Sequence, residues 1–100
     1  MVTLEYVIDP ARRGEFESIM AETRSARMRE GALLWGLFED VQQPGRFVEY
    51  FAIETWADYL RRFERFTAMD ERLREMRFSF HLGDVPPRIS RYIARHPPAR

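Results

Sequence analysis

Four short stretches of the chain have the length and the apolar pattern of β-strands. In the first, Val2 to Ile8, the even-numbered residues are apolar and form one face. The second, Ala32 to Val41, and the third, Phe47 to Thr55, carry large apolar residues on both faces. Gln42 to Gly45 contains Pro-Gly and predicts a turn, so these two strands are expected to form a hairpin. A fourth strand is predicted from Arg88 to Arg95, with an arginine between two isoleucines on one face.

Apolar residues at helical spacing lie between these strands. The first helix is predicted from Asp9-Pro10, where Asp is a capping residue and Pro suits the first helical position, to about Arg29. A second helical region is predicted from Trp56 to about Phe66. Thr67 has the spacing of a cap for a short further helix that runs through Met76.

The resulting order is β-α-β-β-α-β, which is typical of the ferredoxin-like α+β fold. That fold has an antiparallel four-stranded sheet with the helices on one face, and it leaves the other face open. The sequence predicts a single domain over residues 1–96, followed by a flexible tail at residues 97–100.

The middle hairpin is apolar on both faces, whereas one layer of helices can cover only one of them. A large apolar side chain left in water forfeits roughly 1.5–3 kcal/mol. We therefore expect a homodimer through the open face, and the alternative is a monomer whose own C-terminal tail covers it. The candidate interface residues are Leu33, Trp35, Leu37, Val48 and Tyr50, although the sequence does not tell which face each one occupies.

Composition narrows the classes of function. The 100 residues contain 16 acidic and 16 basic side chains, so the chain lacks the basic field that nucleic-acid binding requires. There is no cysteine, which excludes disulfides and thiolate chemistry. No apolar run approaches the roughly 20 residues that a membrane-spanning helix needs. We expect no membrane insertion by this chain, no signal peptide and a cytoplasmic location in a bacterial cell.

Three short motifs follow one another along the chain: Gly31-x-x-x-Trp35-x-Leu37, Pro44-Gly45-Arg46-Phe47-Val48 and Glu54-Thr55-Trp56. Together they resemble the antibiotic biosynthesis monooxygenase superfamily. The resemblance implies a dimeric α/β barrel that binds a small aromatic molecule. It also implies cofactor-independent oxygenation of a phenolic or quinol-type metabolite as a candidate activity. Family members that carry out oxygenation or degrade haem characteristically use an Asn together with a Trp. This chain has no Asn, so we expect no haem degradation. Because the candidate oxygenation is cofactor-independent, we expect no other cofactor either.

Four longer segments, some of which contain these motifs, are Val2-Thr3-Leu4-Glu5-Tyr6, Trp35-Gly36-Leu37-Phe38-Glu39-Asp40, Pro44-Gly45-Arg46-Phe47-Val48-Glu49 and Trp56-Ala57-Asp58-Tyr59-Leu60. They are similar to the soluble C-terminal domain of major facilitator exporters of the enterobactin-exporter type. This resemblance implies a second hypothesis, a non-catalytic accessory or regulatory domain. It leaves open whether the chain is free-standing or part of a transporter.

The two hypotheses use the same candidate residues differently. The ligand-pocket candidates are Tyr6, Trp35, Tyr50, Trp56 and Phe63, and the alternative is that these aromatics are the core of a small domain. The candidate proton acceptors are Glu49, Glu54 and His81. Each has a structural alternative: Glu49 at the rim of the sheet, Glu54 at a strand-to-helix turn, and His81 on a surface loop. No convergent metal-ligand set is present in the sequence, so we expect no metal site.

Overall fold

The computed structural model describes residues 1–95, apart from the side chains of Phe63 and Arg65, so His96 and the predicted tail at 97–100 lie outside it. Within that part, the elements are β1 Val2–Val7, α1 Arg13–Arg29, β2 Leu34–Glu39, β3 Arg46–Ala52, α2 Trp56–Arg61, α3 Ala68–Phe80 and β4 Arg88–Arg91. A turn of 3₁₀ helix precedes α1, and another follows α2. This order confirms the predicted ferredoxin-like α+β fold.

The four strands form one antiparallel sheet in the order β2-β3-β1-β4. Phe51 of β3 pairs with Val2 of β1 on one side and with Trp35 of β2 on the other, and Val2 also pairs with Arg91 of β4. Paired residues point to the same face of a sheet. Trp35, Phe51, Val2 and Arg91 therefore form one row across the face that the helices cover.

The core fills the space between this face and the helices. Alternate residues of β1 and β3 are buried, as the sequence pattern predicts. The helices contribute Phe16 and Met20 from α1, Tyr59 from α2 and Phe80 from α3. Phe16 contacts three other aromatic rings at centroid distances of 5.0 to 5.6 Å, so the core is largely aromatic.

The opposite face of the sheet carries large apolar side chains without cover from the described residues. Leu34 is 58% exposed and Phe38 is 60% exposed, both on β2. Phe38 stacks on Tyr50 of β3 at 5.7 Å between ring centroids. The Tyr50 ring lies against Gly36, where a Cβ atom would come within 2.3 Å of the ring. Any larger residue at position 36 would therefore displace the Tyr50 ring from this position.

The predicted interface residues do not share one face, and this corrects the sequence interpretation. That set was Leu33, Trp35, Leu37, Val48 and Tyr50. Trp35 and Leu37 point to the helix side and pack against the core, opposite to Val48 and Tyr50, while Leu33 precedes β2 and is exposed. Because side chains alternate with a period of two, the open face of β2 presents Leu34 and Phe38 instead.

Local hydrogen bonds determine where the helices begin. The Asp9 carboxylate accepts from the Ala11 N–H at 3.0 Å, and one 3₁₀ turn precedes α1. Thr67 and Asp70 form a complete capping box, which starts α3 where the spacing predicts a helix. The structure differs from the sequence prediction at the end of α2 and in the lengths of the strands. The helix α2 tightens into a 3₁₀ turn after Arg61, and each strand is shorter than its apolar pattern suggests.

Candidate functional site

Glu49 of β3 is a carboxylate at the centre of the covered face, and its side chain is 0% exposed. Its Oε2 accepts hydrogen bonds from Arg27 Nε at 3.0 Å and from Trp35 Nε1 at 2.9 Å. Its Oε1 accepts from the Tyr6 hydroxyl at 3.1 Å and from Arg27 Nη2 at 3.4 Å. Both oxygens of this buried carboxylate are thus occupied by donors from β1, α1 and β2.

The electrostatics of this cluster favour the ionised carboxylate. Burial raises the pKa of Glu49, but the charge and hydrogen bonds of Arg27, together with Arg77 and Trp35, outweigh burial and hold the pKa below its ordinary value. Burial, reinforced by the negative charge of Glu49, raises the pKa of the Tyr6 phenol. The cluster therefore holds a fixed negative charge on Glu49 and a neutral phenol on Tyr6.

A second buried arginine, Arg77 of α3, lies beside this cluster. Its Nη1 donates to Thr23 Oγ1 at 3.3 Å, while its Nε has no hydrogen-bond partner in residues 1–95. Burial and the like charge of Arg27 lower the pKa of Arg77. These interior polar groups form a network of hydrogen bonds and an ion pair around Glu49.

An open cleft of about 630 Å³ lies elsewhere, between α2 and the edge strand β4. Its walls include Trp56 and Tyr59 of α2, Arg91 of β4 and Glu54 from the turn after β3. Thr55 caps α2 by accepting from the Asp58 N–H at 3.0 Å, so that Trp56 becomes the first helical residue at the cleft wall. Trp56 is 50% exposed, so a large aromatic surface is accessible at the cleft wall.

Tyr59 connects the two walls of this cleft. Its ring stacks on Trp56 with 4.9 Å between centroids and 18° between planes. Its hydroxyl accepts from Arg91 Nε at 2.7 Å and from Arg62 Nη2 at 3.4 Å. Burial raises the pKa of Tyr59, but the hydrogen bonds from Arg91 and Arg62 outweigh it and lower the pKa below its ordinary value. The lowered pKa indicates a net positive field at this wall.

The predicted pocket residues do not line one cavity. Of Tyr6, Trp35, Tyr50, Trp56 and Phe63, the residue at the cleft is Trp56. Tyr6 and Trp35 are hydrogen-bonded to Glu49 in the core, Tyr50 lies on the open face of the sheet, and the Phe63 side chain is outside the described part. The sequence pattern identified aromatic positions but could not tell which face of the sheet each one occupies.

The three candidate proton acceptors lie in three different environments. Glu49 is buried in the ion network, and Glu54 is exposed at the cleft. The imidazole Nδ1 of His81 accepts the Val7 N–H at 3.0 Å, beyond the end of α3, so it serves the backbone of β1. The structure thus brings none of these three together at one reaction centre.

Sequence reasoning missed Arg27, Tyr59 and Arg91. One available clue was the pattern of the last strand, where Arg91 occupies the face that it shares with two isoleucines. A charged residue at an apolar position indicates a buried partner or a ligand. Among the described residues, no group of three or more His, Asp or Glu side chains is arranged to hold a metal ion.

Comparison with solved structures places the fold. An antibiotic biosynthesis monooxygenase matches with a TM-score of 0.75 and 20% identity, over 95% of this chain and 97% of that one. A candidate antibiotic biosynthesis monooxygenase from Bordetella bronchiseptica matches with a TM-score of 0.71 and 20% identity, over 93% and 95%. Another from Deinococcus radiodurans has a TM-score of 0.72 and 16% identity, over 96% and 94%. At these identities the likeness establishes the fold alone.

Comparison of sequences places the family. No curated protein matches this chain. Within residues 1–95, none of the helices has the length and apolar character needed to cross a membrane. The family described as transmembrane secretion effector matches residues 1–98, nearly the whole chain. The chain therefore belongs to the transmembrane secretion effector family.

Proposed function

We propose that this chain is a small-molecule-binding domain whose ligand site is the cleft between α2 and β4. The observation that carries the proposal is the half-exposed Trp56 ring, stacked on Tyr59 at the wall of a cleft of about 630 Å³. That volume lies in the range of small-molecule sites, which are lined mainly by apolar and aromatic groups with a few polar ones. A flat aromatic ligand that stacks against Trp56 would satisfy this geometry.

We further propose that the domain acts in export as a non-catalytic accessory module. Membership of the transmembrane secretion effector family supports a role beside a transporter, such as the cytoplasmic tail of a major facilitator exporter. The state of Glu49 supports the absence of catalysis, because a general base must reach its substrate and this carboxylate is enclosed by three donor residues. The alternative is cofactor-independent oxygenation of a quinol in the cleft, with Glu54 as the exposed proton acceptor.

The open face of the sheet supports self-association as part of this proposal. A second copy would cover Leu34, Phe38 and Tyr50, which the described residues leave in contact with water. The charges on that face are already paired, since Arg46 contacts Glu5 at 2.8 Å and Asp40 at 3.2 Å. Two such faces can meet without bringing together uncompensated like charges.

Titration with 2-naphthol tests the ligand site. We expect saturable binding of one molecule per chain by calorimetry, and an affinity at least tenfold weaker in Trp56→Leu, because the stacking surface is lost. Leu60→Ala is the matched control, since Leu60 is a half-exposed apolar residue of the same helix that does not line the cleft. Unchanged binding by Trp56→Leu, or no binding to the wild type, would refute this site.

Oxygen consumption separates the accessory role from the enzymatic one. With a panel of naphthoquinols, we expect no uptake above the rate of the quinol alone. Uptake that wild-type protein accelerates and Glu54→Gln abolishes would overturn the accessory role and establish the oxygenase instead, while leaving the ligand site in place.

A further inference from the structure

The cleft has one charged group with free hydrogen-bonding capacity on its β4 wall. Arg91 uses Nε to donate to the Tyr59 hydroxyl at 2.7 Å. Its two terminal nitrogens have no hydrogen-bond or ion-pair partner in the part of the chain that the structure describes. When Nε of an arginine is engaged, its two terminal nitrogens can still donate in parallel to the two oxygens of a planar anion.

The position of Arg91 is fixed by the sheet and by the helix opposite. Arg91 pairs with Val2 at the edge of the sheet, on the face that α2 covers. The bond to Tyr59 joins this edge to the helix, and Tyr59 in turn stacks on Trp56. One wall of the cleft therefore presents an aromatic face, and the adjoining wall presents a guanidinium held beside it.

The remaining charges at the cleft define how a ligand would lie. Glu54, an acidic residue of the cleft wall, is exposed two residues before Trp56. An anionic group would be repelled at the Glu54 end and attracted at the Arg91 end. The lowered pKa of Tyr59 is consistent with a positive field at the Arg91 end.

We infer that the ligand of the cleft is an aromatic carboxylate, with its ring against Trp56 and its carboxylate on the terminal nitrogens of Arg91. The inference depends on the ligand site proposed above and adds the chemical class of the ligand. A carboxylate matches the two parallel N–H groups of a guanidinium, whereas a neutral amide or a phenol engages only one.

Matched naphthalene probes test the inference on the wild-type protein. We expect 2-naphthoate to bind about tenfold more tightly than 2-naphthamide, because a charge-assisted hydrogen bond exceeds a neutral one by about that factor in affinity. The preference should shrink at high salt. Equal affinity for the two probes would overturn the carboxylate assignment while leaving the cleft as a site. Tighter binding of 2-naphthylmethylammonium would also overturn it and would make Glu54 the determinant.

Arg91→Met locates the source of the preference. We expect this variant to bind 2-naphthoate and 2-naphthamide with similar affinity, and its binding of the amide to stay close to that of the wild type. Arg88→Met is the control, because it removes the same charge from β4 at a residue that is exposed on the other face of the sheet. A preference that survives in Arg91→Met, or disappears in Arg88→Met, would refute the role of Arg91. Failure of all probes to bind would instead refute the ligand site itself.

Discussion

The negative charge of Glu49 is balanced inside the protein by Arg27, which is only 6% exposed. All the neighbours of this carboxylate are donors: a phenol, a guanidinium and an indole N–H. Glu49→Gln would turn an acceptor-only group into one that presents an NH₂ to these donors, and it would leave the buried Arg27 with only the longer contact to Glu30, at 4.0 Å, as counter-charge among the described residues. We expect a loss of about 3–5 kcal/mol in the free energy of unfolding, measured in urea.

Exposed Glu75→Gln on α3 is the control for that measurement, and we expect its stability to stay within about 0.5 kcal/mol of the wild type. The double variant Glu49→Gln with Arg27→Met should recover part of the loss, because it removes the guanidinium that has lost its nearer counter-charge. A wild-type stability in Glu49→Gln would mean that the ion network contributes nothing to folding.

The lowered pKa of Glu49 also predicts how stability depends on pH. Because the folded-state pKa lies below the ordinary value of 4.5, the unfolded chain takes up this proton first as pH falls. The contribution of Glu49 is complete above pH 4.5 and disappears as pH falls through the folded-state pKa. Glu30 acts in the opposite direction, since burial raises its pKa and its contribution declines as pH rises.

The difference in unfolding free energy between wild type and Glu49→Gln separates the pH dependence due to Glu49 from that due to Glu30, because both proteins contain Glu30. We expect the difference in unfolding free energy to be largest near neutral pH and to shrink as the pH is lowered from about 6 to about 3. Urea unfolding followed by fluorescence at several pH values measures it. A difference that stays constant or grows in acid would contradict the assigned direction of the shift.

At the scale of elements, the turn between β2 and β3 depends on Gly45. Its φ is +91°, and a Cβ atom there would lie 2.3 Å from the backbone oxygen of Ile8. Gly83 has a similar φ of +93° but open space around it. Both Gly→Ala variants should lose about 1–2 kcal/mol from the left-handed conformation alone. We expect Gly45→Ala to lose clearly more, since the hydrogen bond from Ile8 N to Gly45 O must also shift.

Thermal unfolding of the two variants, monitored by circular dichroism, compares them directly. Gly83→Ala measures the loss of stability that comes from the positive φ alone. The additional loss in Gly45→Ala therefore measures the effect of the close approach between Gly45 and the backbone of Ile8. Equal losses in the two variants would indicate that the turn moves away from Ile8 at no cost.

The elements themselves could be predicted because their signals are local. The alternation in β1, the capping box at Thr67 and the turn residues before Gly45 all lie within a few residues of the structure they specify. Strand ends were less accurate, because apolar residues continue beyond the last ladder pair. Leu33, Val41 and Ile93 extend the apolar pattern of their strands but lie outside them.

The site could not be predicted in the same way, because its contacts join distant parts of the chain. Tyr6 and Glu49 are 43 residues apart, and Tyr59 and Arg91 are 32 residues apart. No local pattern reports such pairs. The residue types are visible in the sequence, and the strand period puts Glu49 on the same face as Phe47 and Phe51, yet its partners depend on the packing of α1 against the sheet.

For the molecule as a whole, the open face of the sheet decides whether the chain acts alone or as a pair. We expect wild-type protein to sediment at twice the 12.0 kDa mass of one chain. Phe38→Glu should sediment as a single chain with unchanged circular dichroism. Phe38 is 60% exposed within its own chain, so the glutamate remains solvated there, whereas burial against a second copy would strip its water.

Val41→Glu is the control for this substitution, because Val41 is an exposed apolar residue just beyond the end of β2. Its mass should remain that of the pair. A wild-type protein that sediments as one chain would refute self-association, and the C-terminal segment would then be the candidate cover for Leu34 and Phe38. Deletion of residues 97–100 tests that cover, since it should then increase the binding of an apolar dye to the exposed face. The same deletion leaves the dye unaffected if a second copy supplies the cover.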